Sequence, residues 1–238
     1  MKNKDMTYSC VDCAVTNCND GKTMYPDFCP TARLLAQMEN GSDGPSEQEA
    51  AGAYGCEEGD RYETTVDEVL SLYIDDEENS KTMKAAAEVE YENYCKMTRI
   101  EEIAEFARKT GARKLGIATC VGLISEARNA AKFFRHKGFE VYGIACKVGA
   151  QPKTKVGIDP CCEAVGKNIC NPIMQAKLLN EKNTDLNIVV GLCVGHDSIF
   201  YKYSDALCTT LVTKDRVLGH NPVAALYQMN AYYSKLMK

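Results

Sequence analysis

From Thr98 onward, short apolar runs alternate with helical segments, and this alternation limits the folds open to the chain more than any other feature. The runs KLGIAT, FEVYGIA, LNIVVGL and LCTTLVT begin at Lys114, Phe139, Leu186 and Leu207, and each has the length of a strand. Between them the pattern predicts helices over 99–109, stopped by Gly111, and over 123–137, stopped by Gly138. Further helices start after Asn171-Pro172 and Asn221-Pro222, because Asn caps a helix and Pro tolerates its first position. Strands that alternate with helices form right-handed crossover units and a parallel sheet. Residues 98–238 are therefore expected to be an α/β domain, a doubly wound, three-layer Rossmann- or flavodoxin-like sheet of about four to five strands.

The first part of the chain has a different character. Residues 1–35 contain four cysteines and very few aliphatic residues, so this piece cannot build a core. Residues 36–64 are rich in Gly, Ser and Glu and read as a flexible insert. A helical connection over 65–97 follows, opened by the capping box Thr65 to Glu68 and closed by a second one, Thr98 to Glu101. Within it a helix over about 79–95 is expected to carry Met83, Ala87, Tyr91 and Tyr94 near one face.

Three strand exits share one motif: IATCVG at 117–122, IACKVG at 144–149 and VGLCVG at 190–195. A parallel sheet places all its carboxyl ends on one edge, with adjacent strands about 4.8 Å apart. Cys120, Cys146 and Cys193 are thus expected to converge there, and Cys170, just before a helix cap, can join them. Helix N-termini point toward the same edge and favour thiolates. His196 follows Cys193 closely, and His220 lies in the loop after the fourth strand with Lys214, Asp215 and Arg216. Cys56, Cys95 and Cys208 have no such pattern, and the adjacent Cys161 and Cys162 read as incidental.

Cys10, Cys13, Cys18 and Cys29 have the spacing C-x2-C-x4-C-x10-C. The first pair matches a chelating turn, and four thiolates complete a zinc site or hold an iron-sulfur cluster. Thirteen cysteines in a chain that opens with no apolar signal segment point to metal or redox chemistry in a reducing compartment, and so to the cytoplasm. The net charge of −5, with scattered basic residues, argues against nucleic acid as a partner. No apolar run approaches the roughly 18 residues of a membrane span.

The stretch CVDC with its following cysteines, YCKMTRIEEIAEFARKTGARKLGIATCVGL, CNPIMQAKLLN, NTDLNIVVGLCVGHDSIFYKYS and VTKDRVLGHNPVAALY resemble a prokaryotic family of unknown function described as metal-binding. The resemblance covers residues 8–35 and about 65–233. It implies metal binding through cysteines matching Cys10, Cys13, Cys18 and Cys29, others matching Cys120, Cys146, Cys170 and Cys193, and histidines matching His196 and His220. Residues 36–63 are longer than the usual family connection, and the family supplies no reaction.

Three functions follow. The first is a cytoplasmic metalloprotein with an iron-sulfur cluster, of the 4Fe-4S type, on Cys120, Cys146, Cys170 and Cys193, and zinc or iron-sulfur on the N-terminal cysteines. It would carry out redox or sulfur chemistry on a small molecule, with His196, His220 and Cys193 as catalytic candidates; substrate, electron partner and oligomeric state stay open. The second is a non-catalytic zinc or interaction protein, and the third a metal-free thiol enzyme using Cys193 and His196.

Overall fold

The computed structural model describes residues 9–13, 18, 29–40 and 63–237. The chain divides into two compact units, Met1–Met83 and Lys84–Lys238.

In the first unit a 3-10 turn spans Cys10–Asp12, and helix α1 (Pro30–Asn40) starts immediately after Cys29. Residues 36–40, expected within a flexible insert, therefore belong to a helix, while 41–62 fall outside the described residues. Helix α2 (Val66–Asp75) forms at the predicted capping box: Thr65 N–H donates to Glu68 Oε2 at 2.8 Å and Glu68 N–H to Thr65 Oγ1 at 3.3 Å.

Helix α3 (Glu77–Asn93) crosses the division between the units. Its second half is tied to helix α4 (Arg99–Lys109), because Lys109 Nζ lies 2.9 Å from Glu88 and 3.0 Å from Glu92. The buried residues of α3 are Ala85 and Val89, whereas Met83, Tyr91 and Tyr94 are exposed. The aromatic periodicity pointed to the wrong face. What the helix meets on this side is Lys109, through the carboxylates of Glu88 and Glu92.

The second unit is the expected α/β domain. After α4 come β1 (Lys114–Thr119), α5 (Ile124–His136), β2 (Glu140–Ala145), α6 (Pro172–Glu181), β3 (Leu186–Val190), α7 (His196–Tyr203), β4 (Leu207–Val212) and α8 (Val223–Tyr227). The four strands are all parallel, in the order β2-β1-β3-β4. Right-handed crossovers put α5 on one face, against β1 and β2. They put α6 and α7, which pack on each other, on the opposite face.

The central strands β1 and β3 are buried on both faces, and the edge strands β2 and β4 only in part. Phe134, Phe200, Leu115, Ile117, Leu179 and Ile188 are fully buried between the layers. Each contributes about 1.5–3 kcal/mol of transfer free energy. No helix among the described residues is long and apolar enough to cross a membrane.

One buried amide on β3 packs over the bare backbone of β1. Asn187 is fully buried; its Oδ1 accepts from Thr184 Oγ1 at 2.8 Å and its Nδ2 donates to Ser204 Oγ at 2.8 Å. The amide fits only because residue 116 has no side chain: a Cβ there would sit 1.9 Å from Asn187 Oδ1 and 3.0 Å from Leu179. Gly116→Ala is expected to lower stability by about 1–3 kcal/mol, through overpacking and loss of the amide's bonds. Urea denaturation checks this, and an unchanged midpoint would refute the packing account.

Candidate functional site

The carboxyl edge of the sheet gathers the strand-exit cysteines by backbone pairing. Thr119 is in register with Ala145 on one side and Val190 on the other, so β2, β1 and β3 end together. Cys120 and Cys146 are the next residues after their strands. Cys120 N–H donates to Val190 O at 3.3 Å, and Cys146 N–H to Thr119 O at 2.8 Å. Beyond β3 the chain turns at Gly191, φ +68°, where a Cβ would stand 2.6 Å from Leu123, and then reaches Cys193. Cys170 arrives from the long β2–α6 loop, held by Asn171 N–H donating to Cys146 O at 2.7 Å. Asn171 then caps α6, accepting from Met174 N–H at 3.1 Å, with Pro172 at the first position.

The thiols are linked. Cys146 donates to both Cys120 and Cys170, which holds its own proton tightly and pushes its pKa up. The same donation, aided by the Gly122 N–H and Lys214, lowers Cys120 to about 5. Cys170 falls to about 3, through the Cys146 thiol first and then His196 and Lys147. His196, half-buried at the start of α7, is in turn raised by its bond to Cys170. One thiol thus stands between two thiolates, with the His196 imidazole beside the second. Cys146 Sγ also accepts the Val121 N–H at 3.3 Å.

Positive charge surrounds this sulfur group. Arg216 Nη2 donates to Cys193 Sγ at 3.0 Å, and its charge is also felt by Cys120 and Cys170. Lys214 Nζ lies 3.3 Å from where a Cβ on Gly122 would be, and Lys147 directly follows Cys146. Among the described residues none of these three cations is in an ion pair with a carboxylate. The edge lies at the crevice between β1 and β3, where the strand order reverses and such sheets bind ligands.

The placement of the other candidates differs from expectation in detail. His196 faces Cys170, while Cys193 is engaged by Arg216. His220, at φ +67°, accepts the Asp215 N–H on Nδ1 at 3.1 Å and so braces its own loop. In the first unit Cys10 and Cys18 are exposed, Cys13 is half-buried and Cys29 is buried; Cys13 N–H donates to Cys10 O at 3.2 Å, the tight turn expected of a chelating pair. Residues 14–17 and 19–28 lie outside the described residues. Among the described residues no three His, Cys, Asp or Glu side chains are arranged to hold one metal ion.

Two contributors have no sequence signal of their own. Gln175, fully buried one turn into α6, donates through Nε2 to Thr119 O at 3.1 Å and Ile144 O at 2.7 Å. It clamps the ends of β1 and β2 just before Cys120 and Cys146, and its Oε1 has no hydrogen-bond partner among the described residues. Lys147 reads from the sequence as one more scattered lysine; only the fold places it beside Cys170.

Because only the thiolate is nucleophilic, these shifts set a pH signature. In metal-free protein Cys170 should react with iodoacetamide as readily at pH 6 as at neutrality, losing reactivity only as pH falls toward its pKa of about 3. His196→Ala removes a bond to the thiolate, so the pKa rises and the pH at which alkylation falls to half its plateau moves up by the same amount, while the plateau rate near neutrality is kept. Peptide mapping of the alkylated sites reads this directly. The same half-plateau pH in the two proteins would exclude the pairing.

A family model described as protein of unknown function (DUF1847) matches residues 56–211, which include Cys120, Cys146, Cys170, Cys193 and His196. An uncharacterized protein of Methanocaldococcus jannaschii is 47% identical over 159 residues, 67% of this chain and 81% of that protein. With the family model spanning most of the chain and this relative matched over most of its own length, the chain belongs to the DUF1847 family.

Proposed function

We propose that the chain is a cytoplasmic metalloprotein whose sheet-edge cysteines, Cys120, Cys146, Cys170 and Cys193, hold an iron-sulfur cluster used in redox or sulfur chemistry on a small molecule. The observation that carries this reading is the arrival of four cysteines from three loops at one switch-point edge, with Cys120 and Cys170 held well below the usual thiol range and three nearby cations that, among the described residues, are in no ion pair with a carboxylate. The donor set suits the group, because iron-sulfur clusters are held by cysteine thiolates. Bound there, the cluster would supply one-electron chemistry, or a Lewis-acidic iron if one position stays open to substrate.

The chain's own residues have definable tasks. Arg216 and Lys214 offset negative charge at Cys193 and Cys120, and the Val121 and Gly122 N–H groups donate to Cys146 and Cys120. Such donors and charges raise the reduction potential of a sulfur-ligated centre. His196 holds a proton next to Cys170 and can pass it to a bound substrate. Cys10, Cys13, Cys18 and Cys29 take zinc or a second cluster, which would order a segment with little core of its own.

A second reading draws on the Cys170–His196 pair, which has the form of a thiolate nucleophile with its base. In that metal-free thiol enzyme Cys170 takes the role first expected of Cys193. Metal and acid-labile sulfide analysis of protein purified without oxygen separates the two. The cluster reading expects iron and sulfide near about four each per chain, lost in Cys193→Ala and kept in Cys13→Ala. Zinc alone, at a level that Cys193→Ala leaves unchanged, would overturn it.

A further inference from the structure

The β2–α6 loop carries a second sulfur feature outside the edge group. Its base is pinned by an antiparallel bridge between Pro152 and Asn168, with Lys153 N–H donating to Lys167 O at 3.0 Å and Ile169 N–H to Gln151 O at 2.8 Å. At its far side a short 3-10 turn, Pro160–Val165, presents Cys161 and Cys162 to solvent. The two sulfurs are 4.0 Å apart. The turn is held from both sides: Asp159 Oδ1 accepts the Cys161 N–H at 2.8 Å, and Lys153 Nζ donates to Cys162 O at 2.5 Å. The Asp159 carboxylate also faces the Cys161 thiol and keeps it protonated.

We propose that Cys161 and Cys162 form a dithiol capture site for a trivalent arsenical. Three physical points select this occupant. Consecutive Cα atoms are about 3.8 Å apart, closer than the range of about 4.4–6.8 Å found in disulfides, so a bond between these neighbours is strained and the pair favours the dithiol form. Two sulfur bonds of about 2.3 Å reach about 4.6 Å if collinear, so sulfurs at the observed separation fit a bent centre better than a linear one. Zinc asks for four ligands, and among the described residues no third donor is arranged beside the pair to hold a metal ion. A pyramidal arsenic that keeps one substituent is satisfied by two thiols.

The chemistry balances without a redox partner. An arsenoso group, R–As=O, forms two As–S bonds with the two thiols; the oxygen leaves as water with both thiol protons, and arsenic stays trivalent. The inference is independent of any metal at the sheet edge. The site does share its loop with Cys146 and Cys170, which stand at the two ends of that excursion.

The test treats the full-length protein with phenylarsine oxide under excess monothiol and maps the adduct by peptide mass spectrometry. The expected result is one arsenical on the peptide between Lys153 and Lys167, released by a small dithiol. Cys161→Ser and Cys162→Ser should each weaken capture about 10²–10⁴-fold, as a second, intramolecular contact is lost. Both side chains are exposed, so the variants should keep the wild-type urea midpoint. An adduct found only on Cys120, Cys146, Cys170 or Cys193, or one on this peptide that survives either substitution at full affinity, would overturn the proposal.

Discussion

Parallel pairing of β1 with β2 on one side and β3 on the other is the constraint on which the rest of the α/β unit depends. It aligns Thr119 with Ala145 and Val190, so three strands finish at the same level and release their cysteines at one edge. The pairing is made possible by Gly116, whose bare α-carbon leaves room for the buried Asn187 amide, and it is reinforced by Gln175, which bonds the last carbonyls of β1 and β2. These polar groups sit in a core otherwise made mainly of Leu, Ile, Val, Phe and Ala. Their bonds add to the register that burial of the apolar faces already specifies.

The edge is electrostatically organised by the same geometry. A lone buried thiol keeps its proton, because burial disfavours the charged form. Here the proton of Cys146 is shared with two neighbours, and an imidazole, two lysines and an arginine approach from three different segments. The cost of burying thiolates is thus offset by hydrogen bonds and by charge at short range. Such a group suits soft, anionic or electron-poor ligands, in keeping with the position of the crevice at the strand-order reversal.

Much of the second unit was legible in the order of residues. Strands and helices are local objects: the apolar runs, the glycines at 111 and 138, the Asn-Pro caps and both capping boxes each act within a few residues. The helix α3 failed this reading on its face, because the choice between Tyr91 and Val89 depends on which neighbour arrives, and Lys109 is distant in sequence. The meeting of Cys120 and Cys146 at one edge was foreseeable from the repeated strand exits, and Cys170 joins them from the end of the long loop. The partner of each thiol was not, since that depends on loop paths: His196 turned to Cys170, Arg216 reached Cys193, and His220 closed on Asp215.

The sequence by itself determined the alternating architecture, the edge at which the thiols emerge and the abundance of sulfur, because periodicity, caps and strand direction are properties of short segments and of chain handedness. Tertiary structure alone decided which thiols are ionised, which cations stand over them and which buried amide joins the strand ends. Those depend on distances of a few ångströms between residues far apart in the chain, where electrostatic and hydrogen-bond energies change steeply and no local pattern records them.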